Sequence, residues 1–143
     1  MSGPRKFPAE CLAPGEAHGE LTVLTEPLSL WGGFDLGSGQ VRDVHHPQCG
    51  AVIAGRILAM PGGRGSSSSS SILLEAARLG VHPCAIVLAE PDPILVIGAL
   101  VAADLYGVLM PVITLDGHDL AGLESGARAR VFAASGGAFL GLE

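Results

Sequence analysis

Residues 60–71, Met-Pro-Gly-Gly-Arg-Gly-Ser-Ser-Ser-Ser-Ser-Ser, combine types that bind anions and move protons. On composition alone, six serines behind glycines read as a flexible linker. Position argues otherwise, because an apolar strand pattern precedes the run and a helical pattern follows it. The first serines therefore open a helix, where free backbone N–H groups and the helix dipole favour a negative ligand. No Lys follows the final glycine, so this is not a Walker phosphate loop. A serine hydroxyl at a helix N-terminus loses its proton at lower cost than one in water and, in a strong enough field, can serve as a base. Other chemistry-bearing residues are fewer. His45 and His46 invite a metal reading, but neighbours on an extended segment point in opposite directions. His46, just before Pro47, fits a structural turn or an interface better. Asp35 either caps the glycine-rich loop around it or orients a catalytic group, and the sequence leaves both open. Cys11, Cys49 and Cys84 form no C-x-x-C pair, which speaks against a disulfide framework or a self-contained zinc module.

The elements that must position these residues follow from pattern. Residues 1–19 contain three prolines, three glycines and scattered charges without a period, and read as a flexible arm. A single domain is then expected over 20–143. Leu21–Thr25 and Leu28–Leu30 read as short strands broken at Pro27. Trp31–Gly39 is a glycine-dense loop, and Ala51–Leu58 a strand covered on both faces. Ile72, Leu73, Ala76, Ala77 and Leu79 recur at helical spacing and predict a helix over 68–79, stopped by Gly80. Residues 85–89 read as a buried strand. Asp92-Pro93 pairs an N-cap with proline at the first helical position and predicts a helix over 93–105, ended by Gly107. Val108–Thr114 reads as a strand whose Pro111 confines it to an edge or a bulge. Arg130–Ala133 closes the pattern. The fold class is α/β.

Composition bounds the partners. The chain has 143 residues and a formal charge of −6, from eight Lys+Arg against fourteen Asp+Glu, which disfavours a nucleic-acid surface. With 48% hydrophobic and only 15% charged residues it is not a disordered chain; a subunit partly covered by a partner has this balance. The longest uncharged apolar run, eleven residues between Asp92 and Asp104, is too short for a bilayer span. Arg5 and Lys6 have no apolar run behind them, so no signal peptide is read. A soluble, cytoplasmic protein in a reducing compartment is the expectation.

Gly-Arg-Gly-Ser-Ser-Ser at 63–68 resembles the Gly-x-Gly-Ser-Ser-Arg turn of the small swivelling domain of aconitases. More closely, Ser29-x-Trp-Gly-Gly-x-Asp35, Asp43-x-x-His46-Pro47-x-x-Gly50 and Pro61-Gly-Gly-Arg-Gly-Ser-Ser-Ser-Ser69 together resemble the small subunit of the aconitase X group. So do Glu75-x-x-Arg78-x-Gly80, Asp92 and the Gly-x-x-x-Ala-x-x-Leu-x-Gly stretch at 98–107. The resemblance runs from about residue 21 to residue 115 and implies a swivelling β/β/α domain of the aconitase type. It implies Ser66 as general base, with Arg64, Gly65, Ser67 and Ser68 binding substrate and Asp35 and His46 as possible supporting residues. Arg64 otherwise reads as a solvated loop charge. Ser68 stands where the aconitase turn has its substrate-binding Arg, so carboxylate recognition must be arranged differently. The cluster cysteines of the resembled family belong to its large subunit. The resemblance therefore implies an iron–sulfur cluster held by that partner and no metal on this chain, which leaves Cys49 as a core or interface residue. Trp31 reads as a loop or interface anchor.

Three functions of different class follow. The first is the small subunit of a dehydratase, inactive alone, that closes over cis-3-hydroxy-L-proline or, alternatively, phosphomevalonate. The second is a stand-alone anion- or phosphate-binding module. The third is a structural partner whose glycine loops pack on another protein.

Overall fold

The computed structural model describes residues 5–143. In chain order its elements are β1 (Lys6–Ala13), β2 (Gly15–Val23), an irregular one-turn α1 (Leu30–Gly33), β3 (Phe34–Asp35) and β4 (Gln40–Val41). They continue with β5 (Ile57–Met60), α2 (Ser69–Leu79), β6 (Ala85–Leu88), α3 (Pro93–Tyr106) and β7 (Val112–Thr114). The last are α4 (Gly117–Ala121), β8 (Arg128–Ala134) and β9 (Gly137–Leu142). Seven strands close into a barrel in the order β1-β7-β6-β5-β2-β8-β9, with β9 pairing back onto β1. β2, β5, β6 and β7 run parallel to their neighbours in that series, while β1, β8 and β9 join antiparallel. β3 and β4 form a separate two-stranded hairpin.

Two apolar layers explain the closure. Inside the barrel, Leu21, Ile57, Ala59, Val87, Ile113, Val131 and Leu140 are fully buried. The alternate residues of the same strands, Leu58, Met60, Ile86 and Leu88, face the other way, onto Leu73 and Ala76 of α2 and Leu95 and Ala99 of α3. β5 and β6 are thus buried on both faces, which is why their sequences are unbroken apolar runs. The two helices that cover them match the pattern read from sequence. α2 has Ser68 and Gly80 as caps. α3 begins at Pro93 behind Asp92, whose Oδ1 accepts from the N–H groups of Ile94 and Leu95. Among the described residues no helix is long and apolar enough to cross a membrane.

Several expectations need correction. The arm predicted over 1–19 is corrected over residues 6–19, where β1 and most of β2 lie. Residues 1–4 fall outside the described residues. In β2, Glu16, His18 and Glu20 alternate with Ala17, Gly19 and Leu21, a period of two disguised by small inward side chains. Pro8 is tolerated in β1, opposite Phe139 of β9. The domain therefore reaches back to residue 6, not 20. The strand predicted over 51–58 is paired only from Ile57, and Val52 makes a single bridge to Gln40. Leu28 likewise makes one bridge, to Gly63, and Leu30 enters α1. Pro111 precedes β7, so the strand is interior, between β1 and β6, and the irregularity falls in β1 between Cys11 and Ala13. The final strand extends over 128–134 and turns into β9, which the sequence reading lacked.

Candidate functional site

The parallel strands and the helices behind them bring their active ends to one place. The carboxyl end of β5 feeds residues 61–68 into the N-terminus of α2, and that of β6 feeds residues 89–92 into the N-terminus of α3. In sheets of this kind, ligands bind at those ends. The turn at 61–68 is fixed from three sides. The Pro61 carbonyl accepts from the N–H groups of Ala89 (3.1 Å) and Glu90 (3.2 Å). Gly63 bridges to Leu28. A Cβ on Gly63 would lie 1.7 Å from Oδ2 of Asp92, so no side chain fits there while Asp92 caps α3. Gly65 has φ +84°, a left-handed conformation that favours glycine, and it swings the chain into the serines.

Ser66 is half-buried, and its Oγ accepts from the N–H of Ser68 at 3.1 Å. Its carbonyl accepts from the N–H of Ser69 at 3.0 Å, so the serine is held at both its oxygen atoms. Among the described residues no acceptor faces the N–H groups of Ser66 or Ser67. Ser67 is exposed and its carbonyl accepts from the hydroxyl of Ser70 at 2.9 Å. Ser68 is half-buried, with its carbonyl taken by the N–H groups of Ser71 and Ile72. Arg64 and Gly65 are exposed, and Arg64 makes no ion pair among the described residues; those present join Arg56 to Glu20 and Arg78 to Glu75. The arrangement offers one cation, two unengaged N–H donors and one hydroxyl oxygen held by a backbone donor. It can bind an anion and stabilise negative charge on the Ser66 oxygen.

The other singled-out residues make their own hydrogen bonds, none of them to this turn. Asp35 accepts from the hydroxyl of Ser38 (2.7 Å) and the N–H of Gly37 (3.2 Å), and these bonds, the Ser38 one foremost, hold its carboxyl below the usual carboxylate range. It caps its own hairpin turn. His46 is buried, with Nδ1 accepting from the Gln48 N–H and Nε2 directed at the Glu26 carbonyl, both at 3.0 Å. Both ring nitrogens are thus engaged by backbone. Cys49 is exposed, 3.8 Å from the Val41 carbonyl. Among the described residues no three His, Cys, Asp or Glu side chains gather into a group that could hold a metal ion.

Sequence reasoning missed the role of Ser69. It alone in the serine run is buried, and its Oγ accepts from the Trp31 N–H at 3.3 Å. A signal was present, since Ser69 lies one turn before Leu73 and shares the face that buries Ala76 and Ala77. The closeness of Gly63 and Asp92, 29 positions apart, left no such trace. An apolar cleft of about 390 Å³ lies next to the turn, bounded by Val23, Leu24, Pro61, Ala89 and Leu120.

A family model described as the aconitase X swivel domain matches residues 6–138. The chain is 50% identical over 104 residues to the cis-3-hydroxy-L-proline dehydratase of Pseudomonas aeruginosa, a match covering 73% of this chain and 18% of that protein. It is 37% identical over 131 residues to the phosphomevalonate dehydratase small subunit of Thermococcus onnurineus, covering 92% of this chain and 95% of the other. The fold is similar to that of Thermococcus kodakaraensis aconitase X in its holo-form, with a TM-score of 0.82, 32% identity, and coverage of 95% and 98%. The chain thus spans about a fifth of the length of the cis-3-hydroxy-L-proline dehydratases it matches, at 18% and 20%.

Proposed function

The chain belongs to the aconitase X swivel-domain family, and from that premise we propose that it is the small subunit of a two-subunit hydro-lyase in which Ser66 is the general base. The observation that carries this reading is the Ser68 N–H held 3.1 Å from the Ser66 Oγ. A backbone donor at the start of a helix favours the oxygen in its negative form, which is what a serine base requires. Ser66 then takes the proton from the carbon next to the substrate carboxylate. The freed electron pair forms a carbon–carbon double bond as the neighbouring C–O bond breaks and hydroxide leaves. With cis-3-hydroxy-L-proline the product is an enamine that tautomerises to an imine. Arg64 and the N–H groups of Ser66 and Ser67 meet the carboxylate, taking the place of the Arg that Ser68 replaces. In this reading an iron–sulfur centre held by the large subunit would supply Lewis-acid chemistry at the departing hydroxyl.

The substrate is assigned as cis-3-hydroxy-L-proline, on the 50% identity to a dehydratase of that compound. Phosphomevalonate is the second reading, favoured by relatives that are separate small subunits of this chain's size. The setting is cytoplasmic. The deciding experiment reconstitutes the chain with an aconitase X large subunit and assays both substrates. Ser66→Ala should lower kcat about 10²-fold or more, with KM and subunit assembly retained. Ser70→Ala should change little, because that hydroxyl is spent on the Ser67 carbonyl. Near wild-type turnover in Ser66→Ala would remove Ser66 as the base.

A further inference from the structure

The glycine-rich segment 28–35 and the serine turn are distant in sequence and joined in space. Leu28 bridges to Gly63, and a Cβ on Gly65 would come within 3.9 Å of the Ser29 hydroxyl. The third junction is the bond from the Trp31 N–H to the Ser69 Oγ. It matters because segment 30–33 is an irregular turn. Trp31 has ψ 109° and Gly32 φ +82°, so the helix is broken there, while the Phe34 N–H reaches back to the Leu30 carbonyl and the Ser29 hydroxyl donates to the Trp31 carbonyl at 3.2 Å. The Trp31 side chain is 58% exposed while its backbone is tied down. Ser69, which bears the tying hydroxyl, is 5% exposed and sits one helical turn from Leu73, which is anchored in the core.

We infer that Ser69 is a positioning residue: its buried hydroxyl locks the Trp31 loop to the first turn of α2, so that the loop and the turn bearing Ser66 move as one body. Ser69 also holds the Ser66 carbonyl through its own N–H, at 3.0 Å. Loss of the hydroxyl leaves that backbone bond intact and frees only the loop. The consequence for turnover rests on the reading of Ser66 as base; the latch itself does not.

Trp31 is the only tryptophan, so the latch can be observed directly in the isolated chain. Hydrogen exchange of the Trp31 amide in the wild-type protein should be slow compared with that of exposed loop amides. In Ser69→Ala it should quicken about 2- to 10-fold, the factor one net hydrogen bond supports, while the amides of β6 keep their wild-type rates. Fluorescence anisotropy of Trp31 should fall in Ser69→Ala, stay high in Ser70→Ala, and return in Ser69→Thr, which restores a hydroxyl. In the reconstituted enzyme, Ser69→Ala should lower kcat about tenfold or less, well short of Ser66→Ala. Wild-type exchange of the Trp31 amide at the rate of an exposed loop, or unchanged anisotropy in Ser69→Ala, would overturn the latch. A loosened Trp31 alongside full turnover in Ser66→Ala would instead uphold the latch and sink the assignment of the base.

Discussion

The two halves of the barrel solve the burial problem differently. In the parallel half, β5 and β6 are covered on one side by the barrel interior and on the other by α2 and α3, and all eight of their residues are buried. In the antiparallel half, β8 alternates between buried and exposed positions from Arg128 onward, with Ala129, Val131 and Ala133 inside and Arg130 and Phe132 outside. Among the described residues no helix covers that outer face. Instead Phe132 stacks on Phe139 at 5.6 Å, and Lys6 and Arg130 lie over the Phe139 ring at 4.6 and 5.3 Å. β5 and β6, which carry no charged residue, also lead into the loops that hold the candidate chemistry. Doubly buried strands give a rigid base, and the irregular turns at their carboxyl ends can then hold glycine and serine in fixed positions.

The sharpest test of this contrast is Leu58→Ala. Leu58 is fully buried between β5 and the helices, and its truncation should cost about 2–5 kcal/mol in urea unfolding. Gly63→Ala comes next, at about 1–3 kcal/mol. Its Cβ must displace an Asp92 carboxylate already bound to the first turn of α3, so turnover of the reconstituted enzyme should fall with it. Phe132→Ala removes a larger side chain than Leu58→Ala, yet should cost only about 1 kcal/mol, since it loses a stacked pair and leaves no cavity. Equal losses for Leu58→Ala and Phe132→Ala would erase the contrast.

The smallest effect is one of pH. His82 lies between α2 and β6, at the end of the parallel half away from the serine turn, and its buried Nδ1 has no partner among the described residues. Burial holds its pKa below the usual 6.5, against a weaker opposing hydrogen bond to the Ala76 backbone. Above that value the ring is neutral folded or unfolded and contributes no pH dependence. As pH falls through 6.5 the unfolded chain takes up a proton that the folded chain resists, so stability declines. Unfolding midpoints of wild type and His82→Gln at pH 7.5 and 5.5 should differ in this sense, with the variant losing less on acidification. An equal loss in both would show that His82 is not responsible.

The residues themselves made part of this legible. Ile72 to Leu79 and Asp92-Pro93 carried local signals, apolar spacing and caps, that act within one turn of helix, and both helices are found where those signals put them. The unbroken runs around 57–60 and 85–88 likewise betrayed strands buried on both faces. Residues 6–19 were opaque because β1 and β2 put alanine, glycine and cysteine on the faces where larger apolar residues would have marked the period. Pro8 and Pro14 also interrupt what would read as a strand.

In the serine run, residue type is uniform and cannot rank one hydroxyl over another. Sequence determined that the run opens a helix behind a glycine turn, because helix starts are set by local propensity and capping. Only the tertiary structure decided which serine is tied to a distant loop. Ser69 receives the amide of Trp31 from 38 positions away, and Gly63 makes room for Asp92 from 29 positions away. Those assignments depend on how the closed barrel brings separate loops to one end. Contacts of that kind are fixed by packing, not by any run of neighbouring residues.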